Sequence, residues 1–123
     1  MVTKDELSSN FLFEIMSTEI AEGKHDALKK IKGVVEFHIT VGGVEKLVYT
    51  FDLRSFPGTV KPGPSSVKPN SVITVEDENF VKLCLGEIEP VQGFLTKKFS
   101  VRGDILLMQK LNTVMRGVRK NLL

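Results

Sequence analysis

Apolar residues recur first with the period of a helix, then with the period of a strand, and then in alternating blocks of both. Leu7, Phe11, Leu12, Ile15, Met16 and Ile20 return every three or four positions and predict an amphipathic helix that stops at Gly23. Phe13 falls outside that stripe; it either makes an exposed contact or widens the buried face. Thr3-Lys4-Asp5-Glu6 has the form of a capping box, with Ser8 or Ser9 as alternative caps. Ala27, Leu28 and Ile31 form the apolar side of a short second helix over Lys24 to Lys32, closed by Gly33. From Val34 the period drops to two. Val35, Phe37, Ile39 and Val41 alternate with Val34, Glu36, His38 and Thr40. Gly42-Gly43 then supplies a hairpin turn. The return strand sets Leu47, Tyr49, Phe51 and Leu53 against Lys46, Val48, Thr50 and Asp52, so one face is apolar and aromatic and the other mixed.

Ser55 to Asn70 carries Pro57, Gly58, Pro62, Gly63, Pro64 and Pro69, and reads as the loosest segment. Within it Thr59-Val60-Lys61 is an edge strand or a loop, since proline cannot donate to a ladder. From Ser71 to Leu111 the elements follow with almost no spare residues. Ser71 to Val75 is a strand. Asp77 stands as N-cap of a helix that carries Phe80, Leu83 and Cys84 on one side and Val81 and Leu85 on the other, to Gly86. Pro90 opens a further helix after Glu89, a less common cap, and presents Val91, Phe94 and Leu95. Phe99 to Arg102 is a strand broken by Gly103. Asp104 caps a last helix bearing Ile105, Leu107, Met108, Leu111, Val114 and Met115.

The totals narrow the class. At 123 residues the chain is one domain and can bury roughly two-thirds of its unfolded surface, so it needs neither disulfide nor metal to fold. Its single cysteine, Cys84, suits a reducing compartment and reads as an inert buried thiol. The apolar runs are far too short to span a bilayer. Met1 to Leu7 is polar and charged, so no secretory leader is expected. The net charge of +2 is uneven: from Lys97 onward seven basic residues face one acid, giving +6 there and −4 before it. That segment is a solvated face or a surface for anionic lipid or an acidic partner. Nucleic acid is not expected, because the basic residues are not interleaved with aromatics and no groove-reading motif occurs.

Candidate chemistry is sparse. An acyl hydrolase or transferase needs a nucleophile, a base and an orienting group. The chain has one cysteine and two histidines. His25 is placed on a surface helix and His38 on the mixed face of a strand. No Gly-x-Ser-x-Gly elbow, His-Glu-x-x-His set or phosphate-cradling glycine loop is present. No catalytic residue, metal set or cofactor is therefore predicted.

The ordered set Thr74, Asp77, Phe80, Leu83, Gly86, Pro90, Phe94, Lys98, Val101, Gly103, Leu107, Lys110 and Leu111 resembles the sterol carrier protein 2 domain, also called non-specific lipid-transfer protein. Phe11, Phe13, Glu14 and Ile15 are similar to the start of that family. Tyr49-Thr50-Phe51-Asp52-Leu53 is similar to one of its strands, which often has tryptophan where Tyr49 stands. The likeness follows the whole chain, is strongest over Ser71 to Leu111 and weakens over Phe56 to Asn70.

The resemblance implies an α+β fold spanning residues 1–123 as a single domain. Its five-stranded, mostly antiparallel sheet has about five helices covering one face, with a hydrophobic tunnel between sheet and helices. It implies a carrier of sterols, fatty acids, fatty acyl-CoA or phospholipids, moving them between membranes or to lipid-oxidising enzymes. The alternative is an interaction module presenting substrates to peroxisomal enzymes. By position the tunnel lining comes from Phe80, Leu83, Cys84, Phe94, Leu95, Phe99, Val101, Leu107, Met108, Leu111 and Met115, with Gln92 or Gln109 as a polar contact. Val114 to Leu123 is the expected lid, its Arg116, Arg119 and Lys120 meeting an anionic bilayer while Leu122 and Leu123 dip in. Implied partners are the lipid, a transient membrane surface, a peroxisomal import receptor and lipid-oxidising enzymes. Asn121-Leu122-Leu123 keeps the final leucine of a peroxisomal signal without its small and basic residues, so the location is peroxisome or cytoplasm. Glu89 departs from the family's asparagine before Pro90 and is expected to cost a little cap stability.

Overall fold

The computed structural model describes residues 7–122, and the side chains of residues 27, 113 and 118–122 lie outside that description. The capping box at Thr3 to Glu6 therefore falls outside the described residues. The order is α1 (Ser8–Ala21), a 3-10 turn (Asp26–Lys30), β1 (Val34–Val41), β2 (Val44–Asp52), β3 (Thr59–Pro62), β4 (Ser71–Glu76), α2 (Asp77–Leu85), α3 (Pro90–Leu95), β5 (Phe99–Gly103) and α4 (Ile105–Leu122). The second helix predicted over Lys24 to Lys32 is only that single turn, held by Ile31 N–H to the Leu28 carbonyl. Thr59 to Lys61 does pair, as part of β3.

The strands form one sheet in the order β3-β2-β1-β4-β5. All neighbours are antiparallel except β1 and β4. Because side chains alternate across a strand, register decides which residues share a face. Phe37 lies opposite Tyr49 on one side and Ile73 on the other, and Val75 opposite Ile39 and Phe99. That row and its neighbours make the buried face, over which the helices pack.

Helix α1 meets the sheet by a different face than its strongest periodic stripe suggests. It buries Ser9, Leu12, Phe13, Met16, Glu19 and Ile20. Phe11, expected in the stripe, is 55% exposed. Residues two apart on a helix point about 200° away from each other, so seating Phe13 in the core turns Phe11 outward and leaves Ile15 half-buried.

The caps are also redistributed. Asp77 is the first residue of α2 rather than its cap, and its carboxylate accepts from the Ser9 N–H at 2.9 Å, serving the start of α1 instead. Glu89 accepts from the N–H groups of Val91 (3.1 Å) and Gln92 (2.8 Å), so the longer side chain caps α3 fully. Asp104 caps α4 as expected, taking the Leu106 N–H at 2.9 Å.

One junction ties β1 to the end of β5. Asn70 bonds to Val34 by its own N–H (2.8 Å) and through Oδ1 (2.9 Å), while its carbonyl takes the Asp104 N–H (3.0 Å). Gly103 passes so close that a Cβ there would sit 2.2 Å from that carbonyl oxygen, with φ at 100°. Only glycine fits this crossing.

Candidate functional site

Two parts of the sheet differ in how they are covered. Beneath β1 and β2 the interior is packed by aromatic rings. Phe13 stacks on Tyr49 at 4.4 Å and on Phe80 at 4.7 Å, with Phe37 and Phe51 around it at 5.7 and 5.9 Å. Such pairs add to the area they bury, because ring edges and faces carry opposite partial charge. Tyr49 donates to Asn10 Oδ1 at 3.2 Å, and burial, with the charge of Glu14, pushes its hydroxyl pKa up.

Most of the residues expected to line a tunnel belong to this filled interior. Phe80, Leu83, Cys84, Leu107, Met108, Leu111 and Met115 are all buried in the continuous core. Gln92 and Gln109 face solvent. Burial pushes the Cys84 thiol up to about 12, so it stays protonated and non-nucleophilic at neutral pH.

The other part lies at the β4–β5 edge. A groove of about 640 Å³ opens there, lined by Thr40, Thr74, Val75, Glu76, Phe94, Leu95, Lys97, Lys98, Phe99, Ser100 and Val101. It is open to solvent rather than a closed tunnel. Of the predicted lining set, Phe94, Leu95, Phe99 and Val101 come together here.

Local chemistry places α3 at this edge. Pro90 at the first helical position and the Glu89 cap start the helix. Gly93 lets it settle onto the strand, since a Cβ there would lie 2.6 Å from Ile88 Cγ2 and 2.9 Å from Phe99 Cε1. The Phe94 and Phe99 rings then sit 6.3 Å apart. The helix is only six residues long and cannot cover its own apolar side chains, leaving Val91, Phe94 and Leu95 at 40, 37 and 68% exposure. It ends with Lys98 N–H on the Gly93 carbonyl (2.8 Å), which forces Lys97 into a left-handed backbone with φ at 61°. Sequence reasoning missed Lys97, Thr40, Thr74, Val75, Glu76 and Ser100. The twin lysines directly after an apolar helix were the available signal.

Glu76 is held in the groove wall by other duties. Its carboxylate accepts from the Thr40 hydroxyl and from the N–H groups of Gly42 (2.8 Å) and Gly43 (3.1 Å). The Thr40 bond, then that from Gly43, holds it below the usual carboxylate range.

The predicted lid is not separate from the core where the structure describes it. Val114 and Met115 are buried, because α4 simply continues the helical period of Leu107, Met108 and Leu111. Arg116 is exposed, and its guanidinium lies over Gly86 at the end of α2. The side chains of Arg119, Lys120, Leu122 and Leu123 lie outside the described residues.

Neither histidine lines the groove, although His38 on β1 lies directly opposite the lining residue Thr74 on β4. His25, expected on the surface, is largely enclosed and meets the Glu19 carboxylate at 2.7 Å. His38 lies on the outer face, 2.5 Å from both Glu36 and Glu45. Among the described residues no three acids, histidines or cysteines are grouped to hold a metal ion. None of the described helices is long and apolar enough to cross a membrane.

A profile of the SCP-2 sterol transfer family matches residues 14–116. Peroxisomal multifunctional enzyme type 2 of Mus musculus is 31% identical over 115 residues, covering 94% of this chain and 16% of its own. The apo form of sterol carrier protein 2 from Yarrowia lipolytica superposes with a TM-score of 0.76 at 18% identity, over 89% of this chain and 91% of that one. Sterol carrier protein 2 of Aedes aegypti in complex with palmitate superposes at 0.70 with 20% identity, over 89% and 94%. The chain thus spans between 16 and 26% of the length of the first curated relatives it matches.

Proposed function

The chain belongs to the SCP-2 sterol transfer family, and on that footing we propose that it carries lipids in the groove between α3 and the β5 edge. The observation that carries this reading is the pair Phe94 and Leu95, which the protein leaves exposed in a groove of ligand size whose lining also holds half-buried Val101 and buried Phe99. A lipid chain laid on it leaves water at about 0.8 kcal/mol per buried methylene. Because that gain ignores head-group identity, the ligand class is broad: sterols, fatty acids, fatty acyl-CoA and phospholipids. Phe80, Leu83, Cys84, Leu107, Met108, Leu111 and Met115 lie behind the wall and repack if a chain enters further, a task for which methionine is suited.

The protein supplies no chemistry in this reading. Cys84 is held as a thiol and His38 is committed to two carboxylates on the outer face. Native mass spectrometry of the purified protein tests the proposal. A co-purifying lipid, or uptake of one from vesicles, supports it; a protein that remains empty after exposure to all four lipid classes overturns it.

A second reading has its own support. The matched relatives contain the corresponding segment as a minor part of larger chains, two of them peroxisomal by name. The domain then presents bound lipid to lipid-oxidising enzymes, with a peroxisomal location reached through an import receptor, or a cytoplasmic one. Recovery of such enzymes on the immobilised protein only when lipid is bound favours it. The tail keeps a proposed membrane role through Arg116, Arg119, Lys120, Leu122 and Leu123. Ending the chain after Gly117 keeps Val114 and Met115 in the core, and unchanged transfer to anionic vesicles would remove the rest of the tail from the mechanism.

A further inference from the structure

We propose, building on the carrier reading, that Lys97 and Lys98 hold the anionic head group of an acyl lipid whose chain lies on Phe94 and Leu95. The groove then takes acidic lipids in preference to neutral ones of equal length. Three observations support this. First, the two lysines line the same groove as the apolar wall, so a charged head and a greasy chain are served side by side. Second, among the described residues neither lysine is in an ion pair, although seven such pairs form elsewhere. The nearest carboxylate in the lining, Glu76, accepts instead from Thr40, Gly42 and Gly43. Third, Lys97 occupies a left-handed backbone position, φ 61°, at the end of α3. Glycine adopts that conformation freely and is the usual occupant of such a helix end. A lysine there is strained, and strain of this kind gathers where a side chain serves a ligand.

Thr74 and Ser100, opposite each other on the exposed face of β4 and β5, also belong to the groove lining and add hydroxyl donors to it. A carboxylate and a phosphate both satisfy this arrangement, since each accepts charge-assisted hydrogen bonds from Lys and hydroxyl groups. Gln92 and Gln109, the polar contacts expected from sequence, face solvent and take no part.

The test compares the wild type with the double variant Lys97→Gly, Lys98→Gln. Glycine relieves the backbone at 97 and glutamine keeps the length at 98, so folding is preserved; the unfolding midpoint is expected to be equal or higher. Binding is read with a fluorescent polyene fatty acid, its methyl ester and its acyl-CoA, each monomeric and without vesicles. The acid is expected to lose about tenfold in affinity together with its salt dependence, while the ester is unchanged. A larger loss for the acyl-CoA than for the acid assigns the site to phosphate, and the reverse assigns it to carboxylate. Equal loss for acid and ester, or no loss for either anion, overturns the anchor and leaves the carrier reading intact. Loss seen only with anionic vesicles also overturns it, by assigning the lysines to the bilayer. A wild type that takes up no probe overturns the carrier reading itself.

Discussion

The same sheet is finished in one half and unfinished in the other. Under β1 and β2, five rings from α1, α2 and the strands close on one another and leave every one of them buried. At the β4–β5 edge a six-residue helix stands over a five-residue strand and leaves Val91, Phe94 and Leu95 in water. Both halves are apolar, so composition does not separate them. The difference is supply: the first half has a fourteen-residue helix to deliver Phe13 and Met16, and β5 has the six-residue α3 beside it. Apolar surface that a small domain does not cover with itself is surface available to a ligand.

The largest effect should come from breaking the finished half. Phe13→Ala removes the ring at the centre of the cluster, and truncations of this kind cost about 3–5 kcal/mol. Urea denaturation should show that loss, while the fraction still folded binds lipid normally. Weakened binding at unchanged stability would mean that the aromatic half is itself part of the cavity. Next in size is Gly93→Ala, where the added methyl meets Ile88 and Phe99. Overpacking of this order costs about 1–3 kcal/mol, and here it also lifts α3 from the edge, so lipid affinity and stability should fall together.

Leu95→Glu should separate the two properties. At 68% exposure Leu95 contributes little to folding, and its replacement should change stability by less than about 0.5 kcal/mol. A carboxylate on the groove wall should nevertheless lower uptake of an acidic lipid by about tenfold, more than that of a sterol. Equal uptake by the variant and the wild type would mean that the groove is not where lipid sits.

The sheet, the hairpin and the caps at Glu89 and Asp104 were legible from alternation and from turn and cap residues, because those are local properties. The resemblance supplied the family. What stayed illegible depended on distance. Nothing local says that the Asp77 carboxylate serves α1 rather than its own helix, a contact across 68 positions. Nor does periodicity say which of Phe11 and Phe13 faces in: it put Phe11 in the stripe and Phe13 outside it, and the packing reverses the two. The depth of the site was illegible for the same reason. Leu83, Met108 and Leu111 have the pattern of lining and of core alike, and only the packing places them in the continuous buried core. Lys97 was read only as part of the basic segment, because its left-handed backbone at the end of α3 is not visible in a residue type.

The smallest effect sharpens the comparison by pH. On the outer face of the finished half, His38 lies between Glu36 and Glu45, and Glu36 also accepts the Ser65 N–H at 2.9 Å, tying down the proline-rich loop. Partial desolvation lowers the His38 pKa, but the bonds from its ring to Glu45 and Glu36 outweigh that and leave it raised. Desolvation likewise opposes the charge on Glu36, and the bonds from Ser65 and His38 outweigh it and leave its pKa lowered. A raised histidine contributes stability that is complete below its unfolded pKa, near 6.5, and is lost as pH climbs through the higher folded value. A lowered carboxylate contributes stability that is complete above its unfolded pKa and is lost as pH falls through the lower folded value. The latch is therefore strongest in mildly acidic solution. The difference in unfolding midpoint between wild type and His38→Gln should be largest near pH 6 and should shrink toward pH 8.5. A constant difference would show that His38 does not titrate against its two carboxylates. Uptake of an uncharged sterol in the groove should stay flat over the same range, because no group of the latch lines it, although His38 faces the lining residue Thr74 across β1 and β4. If sterol uptake followed the latch, the two halves would be coupled through the sheet rather than independent.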